Sequence, residues 1–349
     1  MRLRTKLITT IGLVLLISLS IAGLANFYFA QKSMEKQIIS DLESTADTMA
    51  LAINFFLDGY KDKIRLIATH KNLSIEELKE INGLGNNFYE IFVLDNKGII
   101  ILSSNESHIG LDKSTNSYFT NAREETYIKP IYFSDITHRD SLVVSTPFQG
   151  GVLAARIDLG EFDSLVSNRI GFGDTEEGLL AYKNKNGDAV FFTDRLFADS
   201  GRDIISGQNL KIPITQALLN NEGVFLDYND YRGTRVVAVT RYLEDIEIGL
   251  VVKIDYEEAF RDVENLKKVS IVVVLILFVL IGIIIYFITK SISRDIEKLT
   301  LNVDKVSKGD FNTDIEVKSS ISEIKSLEDA MNRIMVTLKL AVLKQKKKE

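Results

Sequence analysis

The chain has 349 residues, a formal net charge of −6, no cysteine and three histidines. An acidic balance gives no indication of a nucleic-acid partner, because such proteins carry basic surfaces. The lack of cysteine excludes a disulfide framework and a thiolate metal site, and no two histidines have the spacing of metal ligands. We therefore expect neither a metal nor another cofactor.

The first element is an apolar run without charges, LITTIGLVLLISLSIAGLANFYF, over residues 7–29. It has about the 20 residues that a helix needs to cross a bilayer. Three basic residues precede it: Arg2, Arg4 and Lys6. Such residues stay in the cytoplasm, so we predict a cytoplasmic segment over 1–6 and a transmembrane helix over 7–29. A cleaved signal peptide is the alternative, although its apolar part is usually only about 7–15 residues long.

Residues 30–68 predict a long amphipathic helix. Apolar residues recur at intervals of three and four from Ile38 to Ile67, and the segment contains no proline. This helix is expected to be the spine of the domain that follows. It can also contact a second copy of the chain; the alternative is that it is only a spine.

A repeat follows the long helix. Phe92–Ser103 and Leu180–Thr193 each read as an apolar strand, a polar turn that ends in Gly98 or Gly187, and a second apolar strand. Glycine supplies the positive φ angle that a tight hairpin needs.

A second pair of segments repeats with nearly the same offset. Ser141–Phe162 and Thr234–Phe260 each contain two strands, an aspartate and an acidic start to a helix. The pattern predicts an α+β fold of two tandem modules over 69–162 and 163–268, each an antiparallel sheet with helices on one side.

Residues 269–289 form a second apolar run, which is too long for a buried strand and predicts a second transmembrane helix. Lys290, Arg294 and Lys298 follow it and fit a cytoplasmic side, while Lys267 and Lys268 argue weakly against it. We therefore predict a multi-pass plasma-membrane protein with residues 30–268 outside the cytoplasm.

Residues 290–343 carry two short heptad seams. The first seam consists of Ile292, Ile296, Leu299, Val303 and Val306, and the second of Ile324, Leu327, Met331, Ile334 and Leu338. Gly309 can end the first helix, and Phe311 and Ile315 can pack the connector against the seams. Two parallel helices bury such seams only poorly, so we predict a homodimer with a four-helix bundle.

This arrangement resembles the double Cache sensors of bacterial and archaeal receptors, in which PAS-like modules are followed by a HAMP domain, as in chemoreceptors and sensor histidine kinases. The stretch from Ser117 to Leu159 resembles the ligand-facing part of the distal module, and Ile292 to about Leu343 resembles HAMP. The resemblance implies a signalling role for Glu323. Asp295 stands where HAMP domains usually have a proline.

The resemblance also implies a ligand site in the distal module. Tyr118, Phe119 and Tyr132 match its pocket aromatics. Asn116 stands where relatives that bind amino acids have an arginine for the ligand carboxylate. Ser134, with Asp135 beside it, and Arg156 replace the two acids for the ligand amine.

A site with these changes is expected to take an anionic or uncharged ligand, because a buried Arg156 suits a carboxylate. Arg123 is a further candidate contact. The alternative for Arg156 is a structural pair with Asp158. Five polar or aromatic residues of the proximal module are expected to be structural: Tyr182, Asp227, Tyr228, Tyr231 and Arg232.

No phosphate-binding loop, nucleophile elbow or His-Glu metal motif is present in the sequence, so we expect no enzyme. The predicted function is a transmembrane sensor that relays ligand binding through the second span to HAMP. The output is expected on another chain, such as a kinase or chemoreceptor signalling partner, unless the receptor is truncated or its basic tail, 344–349, contacts a partner or anionic lipid. A non-signalling solute-capture protein, anchored or secreted, is the alternative.

Overall fold

The computed structural model describes residues 3–70, 72–83, 88–166, 173–197, 204–310, 316–317, 319 and 321–346. Phe311 and Ile315 lie outside these residues. The chain divides into two compact units, one of Lys32–Asp262 and one of Met1–Gln31 with Val263–Glu349.

Helix α1, Leu3–Ala68, contains both the first apolar run and the predicted amphipathic segment. Within the first unit, the residues of its predicted apolar stripe face the core, and Ala46, Ile53 and Ile64 are completely buried. The opposite face carries exposed apolar side chains, and two of them, Leu51 and Phe55, lie one turn apart. The predicted helix is therefore confirmed as the spine of this unit, and one outward patch of it is apolar.

The distal module is a five-stranded antiparallel sheet in the order β2-β1-β5-β4-β3. Its elements are α2 Ile75–Gly83, β1 Phe88–Leu94, β2 Ile100–Ser103, α3 Ser117–Thr120, β3 Tyr127–Ser134, β4 Arg139–Phe148 and β5 Gly151–Ile157. Gly98 has φ +85° in the β1–β2 turn, as the hairpin pattern predicted. Strands β1 and β5 each pair with a neighbour on both sides, and nearly all of their residues are buried.

The proximal module repeats this order with one more edge strand, β8-β7-β6-β11-β10-β9. Its elements are α4 Gly160–Val166, β6 Glu177–Lys183, β7 Ala189–Phe191, β8 Ile204–Ile205, α5 Pro213–Leu218, β9 Gly223–Asn229, β10 Arg235–Leu243, β11 Ile248–Asp255 and α6 Tyr256–Ala259. Gly187 has φ +86° in the β6–β7 turn. The predicted α+β class and tandem antiparallel modules are confirmed.

The second unit contains α7, Arg261–Ser307, and α8, Ser322–Lys346. Helices α1 and α7 have the length and apolar composition to cross a membrane. Gly309 follows the end of α7 with φ +93°, and its N–H donates to the Val306 carbonyl at 3.1 Å. This glycine lets the backbone leave the helix, as the sequence suggested.

Only part of the predicted seam on α8 is buried in a single chain. Ile324 of the seam packs with Leu299 of α7 and with Val317, and Met331 is partly buried against them. Met335, which lies outside the predicted seam, belongs to the same cluster. Three residues of the predicted seam are 44–60% exposed: Leu327, Ile334 and Leu338. We call these three residues the α8 stripe.

Candidate ligand-binding site

Arg156 lies at the centre of the distal sheet and has no exposed surface. It stands on β5 directly opposite Glu90 of β1, and its Nε donates to Glu90 Oε2 at 2.7 Å. Its Nη1 donates to the Tyr132 hydroxyl at 3.0 Å. The alternative pairing with Asp158 is therefore wrong, because the Asp158 carboxylate is exposed and accepts the Gly160 N–H at 3.0 Å.

Both oxygens of the Glu90 carboxylate are bound by neighbouring side chains. Its Oε1 accepts the Ser103 hydroxyl at 2.9 Å and lies 2.7 Å from His108 Nδ1. Since Oε2 is bound to Arg156, both oxygens have partners on three different segments of the chain. This network explains how a guanidinium can remain buried, since a charge without a partner would be strongly destabilising.

One nitrogen of Arg156 is not bound by Glu90 or Tyr132. Its Nη2 is buried and makes no well-formed hydrogen bond among the described residues, although the Tyr118 hydroxyl interacts with the guanidinium. The guanidinium lies 5.0 Å from the Phe92 ring centroid, a contact that offers no acceptor oxygen. A buried N–H donor without a well-formed hydrogen bond is unfavourable by about 1–3 kcal/mol, so an acceptor that reached this nitrogen would be stabilised by it.

Lys129 is the second cation of the site. A bulge in β3 between Lys129 and Tyr132 interrupts the strand register. The Lys129 ammonium donates to Asn116 Oδ1 at 3.1 Å and lies 3.6 Å from the centroid of the Tyr132 ring. Burial, together with the nearby charge of Arg156, lowers the pKa of Lys129 to about 8.

Lys113 is the third cation. Burial and the charge of Arg156 lower its pKa below the ordinary value, and the carboxylates of Asp112 and Glu90 oppose this only partly. Within the described ranges, neither Lys113 nor Lys129 forms an ion pair with a carboxylate. We call Arg156, Lys129 and Lys113 the distal cation cluster; Glu90 is its single buried carboxylate among the described residues.

The remaining predicted site residues divide into two groups. Tyr118 and Phe119 are buried on α3, and burial raises the pKa of the Tyr118 phenol. Ser134 is buried at the end of β3 and accepts the Thr137 N–H at 3.4 Å. Asp135 and Arg123 are exposed, and the Arg123 guanidinium lies 5.9 Å from the Phe119 ring centroid.

The sequence reasoning missed Glu90, Lys129 and Lys113. A signal existed for Glu90, because it is the one acidic residue in the apolar strand FYEIFVL. Lys129 stands in a strand with alternating polar residues and gave no such signal.

The dCache_1 model, described as a Cache domain, matches residues 30–263, which is more than half of the chain. The chain belongs to the Cache domain family. The HAMP domain model matches residues 287–339, so the Cache domain precedes a HAMP domain in this chain. The resemblance predicted from sequence is confirmed, and a Cache domain followed by HAMP is the architecture of a membrane sensor with an extracellular domain.

Solved structures similar to this Cache protein are sensor domains. The sensory domain of the Campylobacter jejuni chemoreceptor Tlp3 with isoleucine bound is 15% identical, with a TM-score of 0.47, over 66% of this chain and 98% of that one. The sensor domain of the V. cholerae histidine kinase DctB is 16% identical, with a TM-score of 0.46, over 63% of this chain and 98% of that one. The search of curated proteins found no match.

Proposed function

We propose that this Cache–HAMP protein is a transmembrane receptor that binds a small anionic ligand, an organic carboxylate, in its distal module. Binding is relayed through α7 to the HAMP helices and from there to a cytoplasmic signalling partner. The observation that carries the proposal is the buried Arg156 of the distal cation cluster, whose Nη2 makes no well-formed hydrogen bond.

The charge balance favours a carboxylate over an amine. Three cations stand near one buried carboxylate, and that carboxylate is already used by Arg156, Ser103 and His108. A ligand carboxylate would accept a charge-assisted hydrogen bond from Nη2 and gain attraction from the Lys129 ammonium. An ammonium group would be repelled by Lys113 and Lys129, and the carboxylates of Asp112 and Glu90 oppose this only partly, which disfavours the amine of a free amino acid.

The membrane arrangement follows from the two apolar helices. We propose that α1 and α7 both span the membrane and that the unit Lys32–Asp262 lies outside the cytoplasm. The basic residues before the first apolar run support this orientation.

A homodimer is the proposed assembly. The α8 stripe leaves three large apolar side chains exposed, and the outward patch of α1 adds Leu51 and Phe55. Packing two copies side by side would bury these surfaces at roughly 25 cal/mol per Å² of apolar area.

The test of the ligand proposal is a thermal-shift screen of the full chain in lipid nanodiscs. Organic acids, α-amino acids and amines are compared at one concentration and one ionic strength. We expect organic acids to raise the melting temperature, since a ligand at 100 times its Kd stabilises by about 2.7 kcal/mol. Arg156→Lys is the paired variant: it keeps a cation opposite Glu90, lacks Nη2 and is expected to lose most of the shift. Stabilisation by α-amino acids or amines but not by organic acids would contradict the proposal.

The assembly and the orientation can be tested together in this cysteine-free chain. In intact cells, Ile334→Cys is expected to crosslink to a second copy with a membrane-permeable bis-maleimide and not with an impermeable one. Asn186→Cys, in an exposed turn, is expected to react with an impermeable maleimide. Arg333→Cys is the control, because it is exposed next to Ile334 but outside the seam. Equal crosslinking of the two HAMP variants would contradict the seam, and labelling of Ile334→Cys from outside would contradict the orientation.

A further inference from the structure

The proximal module contains a second copy of the buried cation–carboxylate pair. Lys253 on β11 stands directly opposite Glu177 on β6, as Arg156 on β5 stands opposite Glu90 on β1. Lys253 Nζ lies 2.9 Å from Glu177 Oε2, and the Lys253 side chain is 1% exposed. The local sequences are also similar: Arg156 lies in the sequence ARID and Lys253 in the sequence VKID. The two pairs thus occupy the same place in the two sheets.

The proximal copy differs by having a second buried carboxylate. Asp230 Oδ2 lies 2.9 Å from Lys253 Nζ and accepts the Arg232 Nε at 2.6 Å. Arg232 also pairs with Asp255. In this copy Lys253 and Arg232 are therefore matched by Glu177, Asp230 and Asp255.

The turn between β9 and β10 places Asp230 at this position. Its Oδ1 accepts the backbone N–H of Arg232 at 2.8 Å and of Thr234 at 3.2 Å, which closes the turn around the side chain. The corresponding turn of the distal module, between β3 and β4, carries Asp135, which is exposed. The distal cation cluster therefore lacks the carboxylate that the proximal turn provides.

We propose that Asp230 occupies a carboxylate-binding position in the proximal module, so that this module is filled by its own chain. Lys253 and Arg232 form the position, and its outside ligand would be a small monocarboxylate. Removal of the Asp230 carboxylate opens the position to formate. The inference concerns the proximal module and does not depend on the ligand of the distal one.

Chemical rescue of Asp230→Ala tests the inference in the full chain in nanodiscs. Loss of one partner of a buried charge pair is expected to lower the melting temperature by roughly 6–20 °C. We expect 100 mM sodium formate to restore at least half of this loss relative to sodium chloride at the same concentration. Asp230→Asn keeps the Oδ1 acceptor and fills the space with an amide, so it is expected to be destabilised and not rescued.

Asp227→Ala is the matched control. It removes the same charge from β9, but the Asp227 side chain is 82% exposed and pairs only with Arg235 among the described ion pairs. Formate bound at the distal cation cluster would stabilise this control and the wild type as much as Asp230→Ala. Should Asp230→Ala fail to fold, Asp230→Ser keeps a hydroxyl acceptor for the turn and takes its place. The inference is overturned if formate raises the melting temperature of Asp230→Ala, or of its serine substitute, by no more than it raises that of Asp227→Ala.

Discussion

Glu90→Ala is expected to lower the free energy of unfolding by about 3–5 kcal/mol, because it leaves the Arg156 guanidinium buried without a carboxylate. Both side chains are at most 2% exposed, so water cannot replace the lost partner. The variant also takes the acceptor from the Ser103 hydroxyl and the partner from His108. Thermal unfolding of the full chain in nanodiscs measures the change, and we expect a decrease of roughly 6–20 °C in melting temperature.

Glu106→Ala is the control for this prediction. Glu106 belongs to the same module and forms an ion pair with Lys79, but both side chains are about half exposed. A surface pair of this kind contributes little to stability, so Glu106→Ala is expected to unfold close to the wild-type temperature. If the two alanine variants unfold at similar temperatures, the buried network does not hold the distal sheet together.

The second prediction concerns the pH dependence of ligand affinity. The pKa of Lys129 is lowered from 10.5 to about 8, because burial and the charge of Arg156 disfavour its ammonium form. A bound carboxylate would favour that form, so binding takes up a proton above pH 8. We expect the Kd of the best carboxylate from the screen to rise by up to about tenfold per pH unit above 8. Calorimetry at pH 7, 8 and 9 in two buffers of different ionisation enthalpy measures both the Kd and the proton uptake.

Lys129→Gln removes this titration. It is expected to bind the carboxylate more weakly at pH 7 and to show a nearly constant Kd from pH 7 to 9. Lys97→Gln, an exposed change in the β1–β2 turn, is the control and should retain the wild-type profile. A wild-type pH profile in Lys129→Gln would assign the proton to another group.

The free energy of unfolding should also depend on the protonation of Lys129. The unfolded chain binds the Lys129 proton more tightly than the folded chain, because the folded pKa is the lower of the two. The contribution of Lys129 to the free energy of unfolding therefore increases as pH rises from about 8 to 10.5. Ligand affinity and this stability contribution should change in opposite directions over that range.

The features that the sequence predicted are those with short-range causes. The positive φ angles at Gly98 and Gly187, the apolar stripe of α1 and the end of α7 near Gly309 all arise from neighbouring residues. The repeat was visible because each module carries its own hairpins. These signals were sufficient for the fold class.

The chemistry of the site depends on pairings between distant segments. Glu90 meets Arg156 only because β1 and β5 pair in one particular register, and a slip of one residue would reverse the face of each side chain. Lys129 reaches Tyr132 through a bulge in β3 that the strand pattern does not reveal. The sequence therefore identified Arg156 and the aromatics but assigned Arg156 the wrong structural partner.

The distance along the chain between Glu90 and Arg156 also bears on how the distal sheet folds. These residues are 66 positions apart, whereas the hairpins β1–β2 and β4–β5 are joined by short turns. Long-range pairing has to overcome a larger loop-closure entropy. The two charges are therefore expected to stay hydrated until the hairpins have formed and to be buried in a late folding step. Glu90→Ala should then speed unfolding and leave the folding rate nearly unchanged, which makes this ion pair a determinant of the lifetime of the native sheet.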